Sequence, residues 1–328
     1  MPPIMIPHPA APDFLAANGW AGATILPLAG DASFRRYFRV VAGPRTAVLM
    51  DAPPAAEDSR PFLAIAAHLN RLDFAAPRAL AVDLDLGLIL LDDFGDRRVA
   101  PVLAADPSAE TGIYEAAIDI LAALHGHAPP EVALYGRSEL YREIGILSEW
   151  YAPAVGLTMA PGYEAAWDMV LGRVIAETEA APVLVLRDFH ADNLMILDRP
   201  GLQCLGLLDF QDALAGHPAY DLVSLLQDAR RDVAPSLEQA MLDRYCAARG
   251  IADTAAFRAS YEILGAQRNA KILGVFARLW KRDGKPGYRQ FQPRVWSYLE
   301  RNLAHPALAA VRTWFDTHVP TARRAVAW

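Results

Sequence analysis

Two short apolar runs in VLVLRDFHADNLMILDRPGLQCLGLLDFQDALAGHPAYD, residues 183–221, each lead into an aspartate, and no other stretch limits the fold as tightly. Val183 to Leu186 and Leu205 to Leu208 have the length and aliphatic content of buried strands bounded by turns. Neither Asp188 nor Asp209 can be buried there without a partner. Asn193 follows Asp188 by five residues, on a loop short enough to gather both side chains, and Asp209 is expected on a strand beside that of Asp188. An amide oxygen and a carboxylate suit Mg2+, which keeps several waters and takes further ligands from nucleotide phosphates. Asp188 is then left to act as a base. Taken singly, Asp188 reads as a turn cap, Asn193 as a turn residue and Asp209 as a helix cap. Their conjunction is what points to chemistry.

A chain of 328 residues exceeds one usual core and leaves room for two lobes. No apolar run reaches about 18 residues, and the start MPPIMIPHPAAPDF has no basic flank before a long apolar core. Neither a membrane partner nor a secretory signal is expected, and the expected location is cytoplasmic. Cys204, in an expected strand, and Cys246, in an expected helix, read as buried free thiols of a reducing compartment rather than as a disulfide. The net charge of −7 is unevenly spread, since residues 268–328 carry 12 Lys and Arg against 3 Asp and Glu. All three lysines, Lys271, Lys281 and Lys285, lie in that segment. It reads either as a helical face docked on the acidic remainder or as an anion-binding wall of a substrate pocket. An acidic chain with no nucleic-acid-binding module gives no reason to expect a nucleic-acid partner.

After a proline-rich start, Phe14 to Gly19 reads as a helix, and Thr24 to Leu28, Tyr37 to Val41 and Thr46 to Met50 read as strands. The turn GDASFRR lies between the first two. Gly30 can supply an unusual backbone angle, and Ser33 with the amides that follow can hydrogen-bond phosphate oxygens. Pro61 opens an amphipathic helix, FLAIAAHLNRL. Ala79 to Val82 and Leu86 to Leu91 read as two more strands, the second running into LLDDFGD. From about Ala104 the pattern is helical, interrupted by the stretch already described and by the loop KRDGKPGY.

The order Asp188, Asn193, Asp209 matches the kinase arrangement of a catalytic Asp, a metal-binding Asn five residues on, and a second metal-binding Asp at a D-F-G-like turn. The chain resembles the aminoglycoside phosphotransferase and choline kinase superfamily, small-molecule kinases that share the protein-kinase fold. Within it, the likeness is to bacterial kinases that phosphorylate N-acetylmuramate or N-acetylglucosamine at the anomeric hydroxyl. It is carried by GDASFRRYFRV, MDAPP, LLDDFGD, LRDFHADN, LDFQDALAGHPAYDL and QRNAKILGVFARLWKRDGKPGY. The resemblance implies an α+β, two-lobed protein-kinase-like fold. Residues 1–92 would form a small nucleotide-binding lobe with an antiparallel β-sheet, and residues 93–328 a mainly helical large lobe. It implies ATP and Mg2+ as cofactors and a small-molecule sugar as substrate.

Residue by residue, the resemblance makes Asp188 the catalytic base and Asn193 and Asp209 the metal ligands. Gly30, Ser33, Phe34 and Arg35 would cover the nucleotide phosphates, and backbone groups of Leu90, Leu91, Asp92 and Asp93 would meet the adenine. Arg187 and Asp221 would support the catalytic loop. Leu186 stands where most of the superfamily has His, which puts that contact in doubt. His190 would order the loop or touch the sugar. On the basic segment, Arg268, Asn269 and Lys271 are candidates for the acceptor, because N-acetylmuramate carries a carboxylate whereas aminoglycosides are polycations. Trp280 and Tyr288 could stack on a sugar ring or fill the core. One departure is marked: the third strand has Met50 near the position of the phosphate-holding lysine, so Arg35, Arg36 or Arg39 would have to replace it, or metal and amides would carry the charge. An aminoglycoside or other small-alcohol kinase and a nucleotide-binding pseudokinase are the alternative readings.

Overall fold

The computed structural model describes residues 5–30 and 34–324. They form two compact units, Met1–Ala109 with Asp192–Asp212, and Glu110–Ala191 with Ala213–Trp328. The chain leaves the second unit after Ala191 and returns to it at Ala213.

In the first unit, five antiparallel strands, β1 (Thr24–Gly30), β2 (Arg36–Ala42), β3 (Arg45–Asp51), β4 (Ala79–Asp83) and β5 (Leu88–Asp92), make one sheet in the order β1-β2-β3-β5-β4. Alternation places Phe38 and Val40 of β2, Ala47 and Leu49 of β3, and Leu88 and Leu90 of β5 in one buried cluster. The helix α1 (Ala11–Ala17) adds Phe14 and Leu15 to that cluster. It starts earlier than the sequence suggests because Pro12 is accommodated in its first turn, and Gly19, with φ of 81°, ends it. Within the unit α2 (Arg60–Arg71), opened by Pro61, lies between β3 and β4, and α3 (Val99–Ala105) follows β5.

Four three-residue strands frame the aspartates. β6 (Val183–Val185) and β9 (Leu214–Gly216) pair in the second unit, and β7 (Leu194–Ile196) and β8 (Leu205–Leu207) form a hairpin in the first. The strand that leads to Asp209 is therefore not the neighbour of the strand that leads to Asp188, contrary to the expectation, because each run pairs with its own short partner. The unit boundary also departs from the division after residue 92. The β7–β8 hairpin is bound to the sheet-bearing segment by Leu207 N–H donating to Ala75 C=O at 2.8 Å and by Phe94, whose ring lies where a Cβ on Gly206 would fall. Cys204 sits just ahead of β8 rather than within it, and Cys246 is buried; neither is in a disulfide.

The second unit is helical: α4 (Glu110–Leu124), α5 (Arg137–Ile146), a π turn at Leu147–Tyr151, α6 (Ala152–Ala154), α7 (Tyr163–Ala180), α8 (Ala219–Leu226), α9 (Pro235–Arg249), α10 (Thr254–Lys281), α11 (Gln292–Leu303) and α12 (Ala309–His318). The 28-residue α10 is its axis, with 17 buried positions and an N-terminal cap from Asp253 to the Ala256 amide. Gly274 lets α10 pass against the end of α5: a Cβ there would lie 2.4 Å from the Ile146 carbonyl oxygen. The basic segment docks on carboxylates of the same unit, with Arg294 on Asp232 at 2.6 Å and Lys271 on Glu143 at 2.8 Å. No described helix is long and apolar enough to cross a membrane.

Candidate active site

The β7–β8 hairpin brings Asn193 and Asp209 together because its register does. Leu194 faces Leu207, and Leu208 N–H donates to Asn193 C=O at 3.0 Å, so the residue before β7 and the residues after β8 lie at one end. Asn193 Nδ2 donates to Asp209 Oδ2 at 3.2 Å, and Gln211 Nε2 donates to Asp209 Oδ1 at 2.8 Å. Asp209 is held in the left-handed region with φ of 58°. What holds it there is the next residue: Phe210 is fully buried and stacks on Phe62 of α2, with ring centroids 5.2 Å apart. Both amides turn N–H donors to the Asp209 carboxylate; the carboxylate oxygens of Asp209 and the amide oxygen of Asn193 are the hard donors that a cation such as Mg2+ would take.

The second unit holds Asp188. After β6 the chain turns sharply, with Asp188 N–H donating to Leu186 C=O at 2.9 Å and His190 N–H to Asp188 C=O at 3.1 Å. Arg187 adopts φ of 70°, an unfavourable angle for a residue with a side chain. Three contacts hold it. Asp221, fully buried on α8, accepts the Leu186 N–H at 2.7 Å and the Arg187 N–H at 2.8 Å. Ser224, one turn along α8, donates to Arg187 C=O at 3.0 Å and accepts from Arg268 at 2.8 Å. The third contact is made by the Arg187 side chain, which reaches Glu143 on α5 at 2.8 Å. Asp221 thus bonds the backbone of the two residues before Asp188. Burial pushes its carboxyl up to about 7 against the two backbone N–H groups, which pull it down.

Glu143 was not singled out from the sequence, and it is the pivot of this unit's polar core. One carboxylate oxygen takes both Arg187 and Lys271 at 2.8 Å, and the other takes the Tyr135 hydroxyl and Gln267. Burial raises its carboxyl, but Lys271 and then Arg187 outweigh burial and hold it at about 2. Nothing in SELYREIGI distinguishes this glutamate from Glu139 on the same helix, because its cationic partners lie 44 and 128 residues away. Ser224 was missed for the same reason, whereas Gln211 lies only two residues from its partner Asp209 and carried no signal of its own.

The candidates for the acceptor divide. Arg268 is buried against Ser224, and Asn269 is buried between helices, donating to Gln227 at 2.8 Å and Asn302 at 3.1 Å. Lys271 is engaged with Glu143 and the Tyr220 hydroxyl. His190 is buried, and a ring nitrogen accepts from Arg230 at 3.3 Å. Burial pulls its pKa down against the attraction of Asp228. Tyr288 packs on Phe276 and Phe291, and Trp280 lies beneath Lys281 and Arg289.

In the first unit, Gly30 ends β1 opposite Arg36, Phe34 is exposed, and Ser33 lies outside the described residues. Each of the three arginines meets a carboxylate: Arg35 meets Glu57 at 3.3 Å, Arg36 meets Asp51 at 2.7 Å, and Arg39 meets Asp93 at 2.8 Å and Asp96 at 2.9 Å. Met50 is buried within β3. Leu90 and Leu91 are flanked on both sides by β3 and β4, so the ladder uses their backbone groups. Asp92 still pairs with Ala47, and Asp93 is the first residue beyond the sheet.

Residues 24–259 match the APH phosphotransferase enzyme family. This chain belongs to it. The APH chain is 40% identical, over an alignment of 350 residues, to N-acetylmuramate/N-acetylglucosamine kinase of Caulobacter vibrioides, covering 95% of this chain and 96% of that one. It is 37% identical to the protein of the same name from Pseudomonas aeruginosa, covering 91% and 90%. The fold is shared with a choline/ethanolamine kinase family protein from Mesorhizobium loti, at a TM-score of 0.61, 18% identity and coverage of 93% and 96%. The expected α+β kinase-like fold and the superfamily resemblance are both borne out. This APH protein is a small-molecule kinase, a phosphotransferase that uses a nucleotide.

Proposed function

We propose that this kinase moves the γ-phosphoryl group of ATP to a sugar hydroxyl, the anomeric C1 hydroxyl of N-acetylmuramate or N-acetylglucosamine, as a step in recycling peptidoglycan. The observation that carries the acceptor is the 40% identity to a kinase of that name across 95% of the chain. Phosphoryl transfer asks a protein for positioning and charge rather than covalent chemistry. In this reading Asp188 orients the acceptor hydroxyl and takes its proton. Asn193 and Asp209 would hold Mg2+, which when bound supplies positive charge to the nucleotide's phosphate oxygens. Arg35, buried and paired with Glu57 at the approach to α2, takes the phosphate contact that Met50 on β3 cannot make. The Asp93 backbone, past the end of the sheet, meets the adenine.

A coupled assay of ADP release over a panel of amino sugars and aminoglycosides tests the acceptor. Turnover with N-acetylmuramate and N-acetylglucosamine is expected, and 31P NMR of the product places the phosphate on C1. Turnover confined to an aminoglycoside would overturn the sugar reading. Tight ATP binding without turnover on any acceptor would favour a pseudokinase.

A further inference from the structure

We infer that Lys271 and Glu143 are positioning residues for phosphoryl transfer, acting through Arg187 on the turn that presents Asp188. The inference rests on Asp188 being the base. Lys271 of α10 and Arg187 of the turn both place a nitrogen 2.8 Å from the same oxygen of Glu143 on α5. The Tyr220 hydroxyl, from α8, lies 3.2 Å from the Lys271 ammonium. The Tyr135 hydroxyl and Gln267 bond the second oxygen of Glu143. All six groups belong to one unit and tie three helices to a turn only two residues beyond β6.

Charge explains why such a cluster is built beside a base. Two cations on one buried carboxylate leave an excess positive charge, and excess buried charge is strongly unfavourable. The carboxylate of Asp188 provides the balance, since it interacts favourably with both Lys271 and Arg187. The cluster therefore favours a turn that keeps the Asp188 carboxylate close, and it holds Arg187 at φ of 70°. The choice of lysine fits the space. This chain has only three lysines among 31 basic residues, so arginine is its default cation. A compact ammonium, unlike a planar fork, shares one oxygen with a guanidinium already in place. Gly274, one turn beyond Lys271, lets α10 and α5 approach closely enough for the pair to form.

Lys271→Met is expected to lower kcat about tenfold or more while the KM values for ATP and acceptor stay within about twofold. Lys271→Arg recovers part of that loss. Glu143→Gln, close in shape to the native side chain, shows the same split and keeps the test open if Lys271→Met fails to fold. The double variant should lose less than the product of the two single losses. A raised acceptor KM with kcat kept would make Lys271 an acceptor contact and overturn the inference. So would a lowered Tm with kcat per folded molecule unchanged, which marks a merely structural pair. Asp188→Asn, measured alongside, separates the two readings: turnover retained there removes the base, whereas kcat retained in Lys271→Met removes only the positioning role.

Discussion

Asp221 accepts the backbone N–H of Arg187 at 2.8 Å, and this bond fixes an arginine in the left-handed region one residue before the candidate base. The same carboxylate takes the Leu186 N–H at 2.7 Å, so one buried side chain satisfies two amides that the end of β6 leaves unpaired. Asp221→Asn keeps the volume but offers one oxygen where two were used, and turns an NH2 toward an N–H. We expect a stability loss of about 2–4 kcal/mol, from two backbone hydrogen bonds weakened in a fully buried site. The kcat of the folded fraction should fall as well. Urea unfolding together with initial rates measures both, and a variant as stable and as active as the parent would show that the turn holds itself.

Asp188 of the second unit and Asp209 of the first should separate in their effects on binding. Asp188→Asn removes the proton acceptor, and turnover is expected to fall by about 100-fold or more, with nucleotide affinity largely kept. Asp209→Ala removes the carboxylate on which Asn193 and Gln211 converge, so Mg2+-dependent nucleotide binding should itself weaken. Calorimetric titration of ATP with and without Mg2+ tells the two apart. Equal ATP affinity for Asp209→Ala and the parent in Mg2+ would remove the metal assignment.

Phe210 belongs to the same unit as Asp209, and its contribution is indirect. Its ring is fully buried against Phe62, which leaves the backbone of Asp209 no room to relax from φ of 58°. Phe210→Ala should cost about 3–5 kcal/mol of stability through the cavity it leaves. Phe210→Leu, which fills much of that volume, should recover most of the stability but less of the Mg2+-dependent ATP affinity, because a branched aliphatic side chain does not stack. Thermal unfolding and ATP titration of both variants would show the difference, and parallel recovery of the two would reduce Phe210 to packing.

What the sequence revealed and what it hid divide along the range of the interactions. The strands β1 to β5 were readable from alternation and turns, and Asp188, Asn193 and Asp209 stood out as candidates from their spacing, because each signal lies within a few tens of residues. The pairing of β6 with β9 and of β7 with β8 was not, since three-residue strands carry no register of their own. The helix α3, with proline at its third position and no capping side chain, gave no starting signal. Lys271 drew notice as a rare lysine on a basic helix, which suggested an anion from outside. The anion is Glu143, and only the crossing of α10 over α5 at Gly274 reveals it.

That anion should also govern the acid limb of stability. Burial alone would raise the Glu143 carboxyl, yet Lys271 and Arg187 bring it to about 2 in the folded protein, below its ordinary value of 4.5. The unfolded chain therefore binds this proton more readily than the folded one. The stabilisation that Glu143 provides is complete above about pH 4.5 and is lost as pH falls through that value toward 2. Glu143→Gln has no such proton to bind. Urea unfolding of parent and variant at pH 7 and pH 3 should show the parent ahead at pH 7 and much of its lead gone at pH 3. If the lead were the same at both, Glu143 would act through shape and hydrogen bonding, and the two cations on its oxygen would contribute nothing to the fold.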